Sequence, residues 1–85
     1  MSAEWRNVVM LQVISVEPLA NGWAVRQDAV DNPQVFTSGA KAEDAALRLG
    51  ARLAEAGDPA EIRIYLRDGA LGGRFVCPAR QDKAA

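Results

Sequence analysis

The 85 residues carry 49% hydrophobic and 25% charged side chains with a net charge of −1, the balance of a folded chain with one modest core and no second domain. That near-neutral charge excludes the strongly basic footprint of a dedicated nucleic-acid binder. The absence of histidine excludes imidazole bases, Ser-His and Cys-His dyads and histidine metal ligands.

Residues 1–7 read as an N-terminal extension, 8–78 as a single α+β domain and 79–85 as a flexible tail. The run Val8-Val9-Met10-Leu11-Gln12-Val13-Ile14-Ser15-Val16 is rich in β-branched residues and too short for a helix, which predicts a first strand, apolar on both faces. Glu4 beside Arg6, with Gln12 and Ser15 inside the run, argues against a signal-peptide core. No stretch approaches the ~20 apolar residues of a membrane helix, so no membrane partner is expected. Pro18 and Asn21-Gly22 predict a turn. Trp23, Val25 and Gln27 then alternate with Ala24, Arg26 and Asp28 in a second strand. Asp31-Asn32-Pro33 predicts another turn, and Gln34-Val35-Phe36-Thr37 a short third strand.

Residues 40–56 are rich in alanine, and Ala42, Ala46, Leu49, Leu53 and Ala56 recur at helical spacing, which predicts one helix with a narrow apolar stripe. Ser38 or Gly39 would cap its start, and Gly57 with Pro59 its end. Asp44 with Arg48, and Arg52 with Glu55, would pair on the solvent side. In 61–67, Ile62, Ile64 and Leu66 alternate with Arg63, Tyr65 and Arg67 as a strand. Asp68-Gly69 predicts a two-residue hairpin turn, and Ala70-Leu71 with Arg74-Phe75-Val76-Cys77 the returning strand, bulged at Gly72-Gly73. The order β-β-β-α-β-β predicts an α+β fold: an antiparallel sheet of four or five strands with one helix packed on one face.

Three segments together carry a resemblance: Gly22-Trp23-Ala24-Val25, Lys41-Ala42-Glu43-Asp44-Ala45 and Arg67-Asp68-Gly69. They resemble a family of small bacterial domains to which no function is assigned, with a G-W-x-V strand, a helix opening T-K-x-E-A and a hairpin R-D-G. Ala40 stands where that family has its capping threonine. The resemblance spans roughly residues 22–71, implies the fold just derived and supplies no activity.

No catalytic, cofactor-binding or metal site is predicted. Cys77, the only cysteine, has no partner for an intramolecular disulfide, which suits the reducing cytoplasm; in register with Phe75 it reads as a small inward-facing hydrophobe. Asp28 with Asp31, and Asp58 with Glu61, lie beside turns, where acidic residues are common without a cation. The glycines of 69–73 lack the Lys-Ser/Thr and the following helix of a phosphate loop. Trp23 is the expected core anchor, while Trp5 would close one end of the core or sit at a dimer contact.

The remaining feature is the sheet face opposite the helix, where Arg26, Arg63, Tyr65, Arg67 and Arg74 should project. Arginine stems commonly blanket exposed sheet, and a strand apolar on both sides leaves Met10 and Ile14, or Val9 and Val13, facing away from the helix as a partner surface. The sequence thus reads as a non-enzymatic accessory or interaction module, with an unknown protein or a second copy of itself as partner. The alternative is weak nucleic-acid binding, since cations around an aromatic ring suit phosphates and base stacking.

Overall fold

The computed structural model describes residues 11–28 and 30–80. Five strands and one helix follow in the expected order: β1 (Gln12–Leu19), β2 (Gly22–Gln27), β3 (Val30–Phe36), α1 (Gly39–Glu55), β4 (Ala60–Tyr65) and β5 (Leu71–Cys77). They form a single sheet in the spatial order β3-β2-β1-β4-β5, with α1 packed on one face. The α+β fold with one helix on a five-stranded sheet is as expected. The sheet itself is mixed and not antiparallel throughout: β1 pairs with β4 in parallel, Gln12 beside Ala60 through Val16 beside Ile64.

The parallel pair follows from the connections. Tight turns make β1, β2 and β3 alternate in direction, so β3 runs the same way as β1. One helix, at about 1.5 Å per residue, carries the chain back across the sheet, and β4 then starts from the same end as β3 and β1. Parallel neighbours need such a crossover, whereas antiparallel ones need only a turn.

Two prolines expected in turns lie inside strands. Pro18 sits in β1 opposite Trp23, beyond Val16, where pairing with β4 has ended; a residue with one paired side tolerates a missing N–H. The turn is therefore Ala20-Asn21, and Gly22 already belongs to β2. Pro33 lies within β3, which starts at Val30, earlier than residue 34. An edge strand again tolerates the missing donor.

The helix is capped by Ser38, whose hydroxyl oxygen accepts from the Lys41 amide at 3.1 Å. Its buried stripe is Ala42, Ala46, Gly50 and Ala54, with Leu49 and Leu53 packed at the margin. Ala56, expected in that stripe, is the exposed C-terminal cap. The small residues let the helix lie close: a Cβ on Gly50 would stand 2.9 Å from Cδ1 of Ile62 and 3.1 Å from Sγ of Cys77. Beneath it, Ile14, Val16, Val25, Ala60 and Ile62 complete the core, with Trp23, Phe36, Ile64 and Cys77 around its margin.

The last hairpin is closed by a three-residue loop, not the expected two. Leu66 donates to the Ala70 carbonyl at 2.8 Å and Gly69 to the Leu66 carbonyl at 2.9 Å. Gly69, at φ +91°, takes the left-handed position that such loops require. Leu66 and Arg67 thereby leave the strand, and the expected bulge falls where the β4–β5 register shifts between Ile64 and Tyr65. Arg80 donates its amide to the Ala54 carbonyl at 2.9 Å, so the segment assigned to the tail is tied to the helix end at that point. The extension 1–7, Trp5, the first half of the expected first strand with Val9 and Met10, and tail residues 81–85 lie outside the described residues. No described helix is long and apolar enough to cross a membrane.

Candidate functional site

Side chains alternate across each strand, so the residues beside Ile62 and Ile64 point away from the helix: Glu61, Arg63 and Tyr65 on β4. Register adds Val76 beside Glu61 and Arg74 beside Arg63 on β5, and Ser15 and Glu17 with Arg26 and Ala24 on β1 and β2. Arg63 directly opposite Arg74 would repel, but one carboxylate oxygen joins them. Glu61 Oε2 accepts from Arg63 Nε at 2.8 Å and from Arg74 Nε at 2.7 Å.

Glu61 is the buried member of this cluster, with 7% of its side-chain surface exposed. Its two charge-assisted bonds, Arg74 first and Arg63 second, hold its carboxyl below the usual carboxylate value against the opposing effect of burial. The same carboxylate raises Arg63, with a smaller contribution from Tyr65. A second pair, Arg26 Nε to Glu17 Oε1 at 3.0 Å, lies on the same face. Three guanidiniums therefore meet two carboxylates, and one excess positive charge is left among five charged groups.

Four of the five residues expected on this face are brought together there: Arg26, Arg63, Tyr65 and Arg74. Arg67 is not among them. From the hairpin loop its Nη1 donates to the Leu19 carbonyl at 2.9 Å, and its guanidinium lies 5.2 Å from the centroid of the Trp23 ring. With Glu17, Pro18, Tyr65, Leu66 and Gly69 it lines a shallow depression of about 330 Å³. Its strand phase put it beside Arg63 only because the longer hairpin loop was not anticipated.

Glu61 is the residue the sequence reading misassigned, as half of an acidic pair with Asp58. The signal was available, since Glu61 and Arg63 are two apart on one strand and must share a face. Among the described residues, no three Asp, Glu, His or Cys side chains are grouped as a metal site. On the helix, Asp44 pairs with Arg48 at 2.9 Å as expected, whereas Glu55 faces Arg80 at 3.7 Å instead of Arg52.

The ion cluster has a signature in acid. Because the folded carboxyl of Glu61 titrates below its unfolded value, its stabilisation is full above the ordinary carboxylate range and is lost as pH falls through the folded value. Glu61→Gln should therefore unfold at lower urea than the parent at pH 7, and the two midpoints should converge as the pH falls below the ordinary carboxylate range and through the lowered folded value. A gap that stays constant with pH would show that the carboxylate charge is not what the cluster uses.

The sheet edges differ as much as its faces. At one edge β3 contains Pro33, and its register with β2 breaks between Val25 and Gln27. At the other, β5 contains no proline and its single charge, Arg74, is turned onto Glu61. Along β5, Leu71, Phe75 and Val76 are 51%, 44% and 56% exposed, and Leu66 beside them is 48% exposed. Edge strands are normally blunted by proline, free charge or bulges; β5 has a bulge at its first residues and no other such guard among the described residues. Comparisons of the chain with family models, curated proteins and solved structures find no match.

Proposed function

We propose that this chain is a non-catalytic protein-interaction module whose working surface is the β5 edge with its flanking apolar side chains. The observation that carries the reading is the contrast between the two edges: Pro33 removes a main-chain donor from β3, whereas β5 contains no proline and, among the described residues, has an unpaired outer edge flanked by Leu71, Phe75 and Val76. Adding an extended strand to such an edge gives affinity through the main chain and selectivity through alternate side chains. The arginines of the open face favour this reading over nucleic acid, because Arg26, Arg63 and Arg74 already have carboxylate partners that a phosphate would have to displace. The compartment that suits the module is the cytoplasm, where its one unpaired cysteine stays reduced.

The test is an amide-resolved NMR titration with two probes: an end-capped peptide copying residues 70–78, and short single-stranded and duplex oligonucleotides at low salt. The peptide should shift amides of β5 and leave β3 unchanged, and the oligonucleotides should shift none. A silent β5 would overturn the edge reading. Salt-sensitive shifts at Arg26, Arg63, Tyr65 and Arg74 would replace it with nucleic-acid binding.

A further inference from the structure

We infer that the groove between α1 and β3 is a docking site for an extended acidic peptide. The groove follows from widths. Five strands set the outer two roughly 19 Å apart, at about 4.8 Å per neighbour, whereas one helix with its side chains is about 10–12 Å across. The helix is packed mainly over β1, β4 and β2, so the helix side of β3 is left open. Two adjoining hollows of about 490 and 230 Å³ lie there, both bounded by Gln34 and Leu49.

Three kinds of surface meet in this groove, and together they fit one class of ligand. The floor is apolar: Phe36 and Leu49 are partly buried and Val30 is half exposed. One wall is the β3 row of Asn32 and Gln34, whose side-chain amides can both donate to and accept from a peptide main chain. The other wall is cationic. Lys41, Arg48 and Arg52 stand along it with Asp44 as its single carboxylate, which leaves two excess positive charges in a chain whose net charge is −1.

Asp44 is taken by Arg48 at 2.9 Å. Among the described residues, neither Lys41 nor Arg52 has a carboxylate at salt-bridge distance, since Glu55, which helical spacing offers to Arg52, faces Arg80. The two available cations mark the two ends of the helical wall. Their separation in sequence corresponds to about 16 Å along the helix axis, which an extended chain covers in about five residues. The complementary ligand therefore carries two acidic residues about five positions apart with apolar ones between them. A nucleic-acid strand suits the groove less, because its charge at every nucleotide would also be set against Asp44. The site lies at the opposite side of the sheet from β5 and does not depend on the edge reading.

The test is an amide-resolved NMR titration of the full chain with an end-capped peptide that has aspartate at its first and sixth positions and alternating valine and threonine between them, beside the same peptide with lysine at those two positions. The acidic peptide should shift amides of residues 30–36 and 41–52, leave β5 unmoved and bind more weakly as salt is added; the lysine peptide should shift neither segment. In the Lys41→Glu, Arg52→Glu double variant the affinity for the acidic peptide should fall by roughly tenfold or more. Both side chains are exposed, and charge reversal near the helix start favours the helix dipole while reversal in its last turn opposes it, so the variant should fold. Arg26→Ala, on the open face, should leave the affinity unchanged. No shift up to about 1 mM acidic peptide, equal shifts with the lysine peptide, or a double variant that binds as tightly as the parent overturns the proposal. So do low-salt shifts at Lys41 and Arg52 with oligonucleotides and not with the peptide, which would assign the groove to phosphates. The 70–78 peptide has no acidic residue, so its effect on β5 is read separately, and either surface can fail without the other.

Discussion

Ile62→Ala is expected to lower the unfolding free energy by about 3–4 kcal/mol, read by urea denaturation, and to lower the melting temperature by roughly 15 °C or more. Ile62 is completely buried at the point where the helix comes closest, its Cδ1 being the atom a Cβ on Gly50 would meet first. Truncation removes buried methyl groups and leaves a void that the helix backbone cannot fill, so the transfer and cavity costs add. For a chain this size, whose total stability is roughly 4–13 kcal/mol, that is a large fraction. Ile62→Val, which shortens the side chain only at Cδ1, should cost about 1 kcal/mol. If the two substitutions cost the same, the close approach at Gly50 does not set the energetics of this site.

Trp23→Ala is expected to cost about 3 kcal/mol, the lower end for a large aromatic, because the ring is only partly buried. Its indole lies against the start of the helix, where a Cβ on Gly39 would come within 3.1 Å of Cε2, and beneath the Arg67 guanidinium at 5.2 Å. The ring therefore joins three elements: β2, the first turn of α1 and the β4–β5 hairpin. Trp23→Phe should retain most of the stability, with a loss near about 1 kcal/mol. A loss under about 1 kcal/mol for Trp23→Ala would remove Trp23 from the set of residues that hold the helix to the sheet.

Much of this was legible because it depends on local pattern. The alternation of Ile62 and Ile64 with Arg63 and Tyr65 assigns each to a face before any tertiary contact is known. The spacing of Ala42, Ala46, Leu49 and Leu53 similarly marks the covered side of α1, and Gly72-Gly73 marked the bulge. The candidate site was legible to the same depth: alternation put Arg26, Arg63, Tyr65 and Arg74 together. It failed at Arg67, where one extra loop residue, admitted by the positive φ of Gly69, took the side chain out of strand phase.

The sequence by itself determined the order of elements, the alternation that divides the residues of β2 and β4 between the two faces and the small-residue stripe that brings the helix close, since these follow from backbone periodicity and side-chain volume. Only the tertiary structure decided strand neighbours, and with them everything that depends on who sits beside whom. The parallel pairing of β1 with β4 arises because the helix crosses the whole sheet before β4 begins. Pro18 and Pro33 are admitted into strands because the sheet leaves one side of each unpaired. The Arg63–Glu61–Arg74 cluster joins residues thirteen positions apart, which no local rule relates. Periodicity acts within about one element, whereas charge pairing and edge exposure depend on how distant elements are laid together. For that reason Arg26, Arg63 and Arg74, which alternation alone places on one face, are found paired with Glu17 and Glu61 only in the fold.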